Sequence, residues 1–130
     1  MSVHAPHDVP EALPDTDPQK QVILNFQEGF LARYGRLPGP DEPAGYDAAL
    51  IVAEALRVAN PDLADLKLAR SQIRDALEQV RVTGAFWTYA FTPEHHDGTW
   101  LHPRPALITI EGGKPKFVKW IEHIELLQYL

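Results

Sequence analysis

The sequence predicts a mixed α/β domain: three helices, then a strand, a β-hairpin and a short terminal helix. Three observations carry this. Apolar residues recur at three- and four-residue spacing between positions 18 and 80, aromatic and β-branched residues dominate after Gly84, and Gly112-Gly113 lies between two β-prone runs. At 130 residues the chain has room for one compact domain, and 45% hydrophobic with 23% charged residues is an ordinary globular composition rather than a disordered one.

Residues 1–16 carry Pro6, Pro10 and Pro14 among acidic and small residues, which resists regular structure and predicts an extended arm, with a short edge strand over 9–13 as its one regular option. Asp17-Pro18 then supplies an N-cap and a proline at the first helical position. Val22, Ile23, Phe26, Phe30 and Tyr34 share one face of the helix that follows, and Gly35 ends it. Between Arg36 and Gly45 three prolines and two glycines predict a semi-rigid loop.

A second helix is expected over 46–59, apolar around much of its circumference and therefore the most buried of the three. Asn60-Pro61-Asp62 breaks it. A third helix turns Leu66, Ile73, Leu77 and Val80 inward and Lys67, Arg70, Arg74, Asp75 and Glu78 outward. The run 85–91 reads as a strand, 92–98 as a polar turn, and the runs 106–111 and 116–120 as a hairpin around Gly112-Gly113-Lys114-Pro115. Ile121, Ile124, Leu127 and Leu130 predict a short helical tail.

Composition also excludes. A formal charge of −6 leaves no concentrated basic surface for a phosphate backbone, so no nucleic-acid partner is expected. Without cysteine there are no disulfides, thiolate metal sites or thiol nucleophile. The first residues lack the basic and apolar regions of a secretory signal, and no run is long enough to span a bilayer, so the chain by itself reads as cytoplasmic. Ser71 lies on a polar helix face without an elbow motif and no phosphate loop appears, so no catalytic residue and no cofactor is assigned.

Several segments, ordered along the chain, resemble the C-terminal region of type I periplasmic solute-binding proteins of ABC transporters, the leucine/isoleucine/valine-binding family. They are Leu13-Pro-Asp-Thr-Asp-Pro-Gln-Lys20 with Phe26 and Arg33-Tyr-Gly-Arg-Leu-Pro38, then Gly45-Tyr-Asp-Ala-Ala49 with Ala53-Glu-Ala-Leu56, then Ile73-Arg-Asp-Ala-Leu-Glu78, Gly84, Phe91-Thr-Pro-Glu-His-His-Asp-Gly98 and the strands around Gly112. The resemblance covers about 9–120. It implies a fragment of that two-lobed α/β fold: an arm or edge strand over 1–16, a solute-binding-like domain over 17–120 and a helical tail over 121–130. It further implies a periplasmic location, a small amino-acid-like, aromatic-acid or amide ligand, and an ABC permease as partner. A chain holding only part of that fold would expose strand edges and apolar helix faces, so a homodimer or swapped assembly is also expected.

The loop 40–45 corresponds to a segment that approaches the ligand cleft in the family, which nominates Asp41, Glu42 and Tyr46. A carboxylate holds a ligand ammonium and an aromatic ring packs on its side chain. The competing reading has Tyr46 packing the helix start and Asp47 favouring its positive end. His95, His96, Asp97 and His102 are metal-ligating residue types, but adjacent histidines on a turn point apart and Asp97-Gly98 accounts for the turn, so no metal site is assigned. Phe86, Trp87, Tyr89, Phe91 and Trp100 fit core or a subunit interface better than an aromatic pocket. Two functional readings follow. One is a small-molecule binder; the other is a non-enzymatic interaction module that keeps the fold and dimerises through strand edges and the tail.

Overall fold

A computed structural model describes residues 2–99 and 105–121. Its longest helices begin and end for local reasons. Helix α1, Pro18–Tyr34, is capped as expected: the Asp17 carboxylate accepts the Gln19 N–H at 2.9 Å, and Gly35 closes the helix at φ 69 with its N–H on the Leu31 carbonyl. Helix α2, Glu42–Ala59, starts four residues before the sequence pattern places it, because Pro43 sits in its first turn, where proline costs no hydrogen bond. Asn60 ends it in the left-handed region at φ 39. Helix α3, Leu66–Leu77, has the stronger cap, since one Asp65 oxygen accepts from both Lys67 and Leu68 N–H at 3.0 Å.

Two small antiparallel sheets complete the described chain. Strand β1 (Ser2–His4) pairs with β4 (Ala106–Glu111), which pairs with β5 (Lys114–Trp120), in the order β1-β4-β5. Strands β2 (Arg81–Thr83) and β3 (Thr88–Ala90) form the second sheet. The β4–β5 hairpin lies where expected, but its turn is shorter: Gly112 and Gly113 alone form it, at φ 60 and 76, the left-handed conformations that a two-residue hairpin turn requires, and β5 already begins at Lys114. Opposite Leu107 and Ile108 the partners are Lys119 and Phe117, so Val118 is an extra residue in a bulge. Odd spacing then brings Phe117 and Trp120 to one side, their rings 4.9 Å apart.

The core has two clusters. Leu13, Ile23, Phe26 and Ala85 form one; Val9, Ala106 and Ile108 form the other; Trp120 packs against both. Val9 and Leu13 reach these positions from a pair of 3-10 turns, Pro6–Asp8 and Pro10–Ala12, rather than from the edge strand expected over 9–13. Prolines at the head of each turn fix φ for a tight helical turn and remove the N–H that a strand would need.

Two other expectations are corrected. Helix α2 is buried along one side and not around its apolar circumference: Val52 is 54% exposed and Leu56 42%, because only the side carrying Asp47 and Ala55 faces the neighbouring α3 and β2. The run 85–91 is not one strand: residues 84–87 turn, with the Gly84 N–H on the Trp87 carbonyl at 2.8 Å, and only 88–90 pair. Trp100, His102 and the tail at 122–130 lie outside the described residues.

Candidate functional site

The turn at 84–87 is where the helical and N-terminal parts of the chain meet. Asp47, on the second turn of α2, is fully buried and accepts backbone N–H groups from Ala85 at 2.6 Å, Phe86 at 2.8 Å and Trp87 at 3.1 Å. The Tyr89 hydroxyl donates to the same carboxylate. Burial pushes the Asp47 carboxyl above its ordinary value, and the four donors pull it back only in part. Burial, with the Asp47 charge beside it, also raises the Tyr89 phenol. Gly84 is required here: a Cβ on it would fall 2.2 Å from Asp47 Oδ2. From α1, Gln19 Nε2 donates to the Gly84 carbonyl at 3.3 Å, and from the first 3-10 turn the His7 ring stacks 5.4 Å from Phe86.

Immediately before Asp47, α2 opens onto a groove of about 640 Å³ between itself and α1. Its floor is a ladder of rings spaced by helical turns. Phe26 lies 4.8 Å from Tyr46 and 5.7 Å from Phe30, and Phe30 lies 4.5 Å from Tyr34. The ladder runs outward from the core: Phe26 is 9% exposed and Tyr34 58%. Two guanidinium groups cover it, Arg36 at 5.0 Å from the Phe30 ring and Arg33 at 5.7 Å from the Tyr34 ring. Glu42 closes the rim, with Arg36 Nη2 on its Oε1 at 2.6 Å. That hydrogen bond holds the Glu42 carboxyl below its ordinary value, assisted by its own and the Gly39 backbone N–H.

The structure therefore brings Glu42 and Tyr46 to one groove and leaves Asp41 beside it. Asp41 is exposed, and its backbone carbonyl, not its carboxylate, starts α2 by accepting the Ala44 N–H at 3.1 Å. Phe30, Arg33 and Tyr34 line the groove although the sequence reading treats this face of α1 only as core. Their signal is the i, i+4 aromatic ladder with arginines at 33 and 36, which marks a face that leaves the core while staying aromatic. His95 and His96 stay apart from it. His96 Nε2 lies 3.5 Å from Glu78 Oε1, and the Gly98 turn at φ 71 carries the Phe91 ring. Among the described residues no three metal-ligating side chains converge.

Comparisons place this architecture. No family model matches the chain and no curated protein matches it. Among solved structures, however, the chain has the α/β fold of part of a type I periplasmic binding protein. An extracellular ligand-binding receptor from Rhodopseudomonas palustris HaA2 is similar with a TM-score of 0.77 and 22% identity, over 90% of this chain and 33% of that one. A leucine-binding protein from Thermotoga maritima MSB8 is similar with a TM-score of 0.65 and 22% identity, over 92% of this chain and 30% of that one. The chain thus spans about a third of the length of these structures, and at such identities what is shared is the fold.

Proposed function

We propose that this chain carries part of a small-molecule-binding site of the periplasmic-binding-protein kind, with an amino-acid-like or carboxylate-bearing ligand. One observation carries the reading: an aromatic-floored groove, rimmed by a guanidinium–carboxylate pair, opens at the start of α2 on a fold shared with ligand-binding receptors. Tyr46 and Phe30 pack the ligand's apolar part. Arg36 and Glu42 are ordered against each other before a ligand arrives, and each has a second side for an opposite charge, with Asp41 adding negative field next to the rim. A location outside the cytoplasmic membrane and delivery to an ABC permease belong to the same reading.

The test is a thermal-shift screen of the chain against amino acids, aromatic carboxylates and amides. A ligand at 100 times its Kd stabilises the native state by about 2.7 kcal/mol. A saturable rise in Tm with one chemical class, reduced in Tyr46→Ala and Glu42→Ala, supports the proposal. A flat response across all three classes overturns it.

A second reading has its own observation. Ala49, Val52, Ala53 and Leu56 form an exposed apolar strip along α2, and a chain that covers this strip with a second copy is a dimerising interaction module. Light scattering at micromolar concentration decides it: a monomer removes this reading, and a dimer lost in Val52→Glu supports it.

A further inference from the structure

We propose that Ser2, His4 and Asp8 form a nucleophile, base and orienting carboxylate that hydrolyse small, unhindered acyl esters at the β1 edge. This set lies apart from the α1–α2 groove and does not depend on what that groove binds. The alternation of a strand puts Ser2 and His4 on the same face of β1, and the 3-10 turn at Pro6–Asp8 folds the chain back over them. His4 Nδ1 then lies 2.7 Å from Asp8 Oδ2, and His4 Nε2 lies 3.0 Å from Ser2 Oγ.

These distances fix the proton positions. An ionised carboxylate only accepts, so the proton of a neutral His4 ring sits on Nδ1 and is donated to Asp8. Nε2 is left as the acceptor, and the Ser2 hydroxyl is the donor that points at it. That is the arrangement in which an imidazole removes a hydroxyl proton while a carboxylate holds its tautomer. Behind Asp8, its Oδ1 lies 3.5 Å from Nε2 of His7, a ring buried against Phe86 that forms no hydrogen bond with it. Ser2 is exposed and the His4 side chain is 35% exposed, so an ester reaches both without a conformational change. Among the described residues β1 pairs only with β4, and the backbone N–H groups on its other side are the donors available to a developing oxyanion. The reacting groups stand at an exposed strand end, which suits short acyl groups with little selectivity among them.

The chemistry closes with water alone. Ser2 Oγ adds to the ester carbonyl carbon as its proton passes to His4 Nε2, and the tetrahedral adduct expels the alcohol, which takes that proton, or a stable phenolate, in which case His4 Nε2 gives the proton to solvent water before the next step. The acyl-Ser2 ester is then attacked by water, whose proton goes to His4 Nε2. Collapse releases the carboxylic acid and returns the hydroxyl to Ser2.

The experiment measures p-nitrophenyl acetate hydrolysis by the full chain, together with fluorophosphonate labelling located by peptide mass spectrometry. The expected result is a label on Ser2, with hydrolysis falling to the buffer rate in Ser2→Ala and at least about 100-fold in His4→Ala. Asp8 is a positioning residue, so Asp8→Asn slows hydrolysis and Asp8→Glu restores it, a rescue that a purely structural role does not give. Ser2→Ala turning over ester at the wild-type rate means that imidazole attacks unaided, and the proposal fails. A wild-type chain that takes no label at Ser2 also ends it.

Discussion

Asp47 and His7 are both shut away from solvent, at 0% and 5% exposure, and both adjoin the turn at 84–87, yet the chain treats them in opposite ways. The Asp47 carboxylate receives three backbone N–H groups and a phenol hydroxyl. Among the described residues, neither ring nitrogen of His7 has a hydrogen-bond partner. A buried polar group that is fully paired organises its surroundings, whereas an unpaired one costs about 1–3 kcal/mol and organises nothing. Asp47 is accordingly the device that joins α2 to the β2–β3 hairpin. His7 is a burden that Phe86 and the surrounding packing have to carry.

Removing the paired group is expected to do the most damage. Asp47→Ala leaves three amide N–H groups without their acceptor and should lower stability by about 3–5 kcal/mol in urea titration; a loss below about 1 kcal/mol would mean that water takes over the carboxylate's role. Gly84→Ala comes next, at about 1–3 kcal/mol, because the new methyl group meets the Asp47 carboxylate rather than a flexible side-chain end. His7→Leu should go the other way, raising stability by about 1 kcal/mol, since it removes an unpaired polar group and keeps the apolar contact with Phe86. Tyr89→Phe should cost least, about 0.5–1 kcal/mol, because Asp47 keeps its three backbone donors.

The same contrast has a pH signature. Burial lowers the His7 pKa, against the pull of the Asp8 and Asp47 charges and with a smaller push from His4. The unfolded chain therefore binds a proton at this residue more readily than the folded one, and stability falls as pH drops below the ordinary histidine value of 6.5. Asp47 tilts the other way. Its raised pKa makes the folded chain the better proton acceptor, so its contribution falls as pH rises through the window just above 3.8. In His7→Leu the decline below pH 6.5 should flatten; a Tm profile unchanged by that substitution would show that other groups control it.

What the sequence makes legible divides along the same line between local and distant causes. Asp17-Pro18 and Gly35 announce the ends of α1, and Gly112-Gly113 announces its hairpin, because each acts on residues within a few positions. The run 85–91 misleads for the opposite reason. Its residue types favour a strand, but a carboxylate 38 to 40 positions away collects the amides of 85–87 into a turn, and no local pattern reports that. At the groove, Asp41, Glu42 and Tyr46 all enter through the family resemblance of the loop 40–45 and not through a local pattern; Glu42 and Tyr46 line the groove, whereas Asp41 is exposed beside it. Phe30 and Tyr34 are read as core because helical periodicity records a shared face without recording where along the helix that face leaves the interior.

The bulge at Val118 sets a rule of parity for the end of the described chain. Phe117 and Trp120 share a face only because one residue between them is not counted by the pleat. Deleting Val118, an exposed residue, removes almost no buried area and would leave Phe117 and Trp120 two positions apart, on one face of a regular pleat with no bulge. Trp120 is the side chain that both core clusters share, so the bulge is what lets an odd spacing hold two interiors together, and position 118 should tolerate deletion as well as substitution.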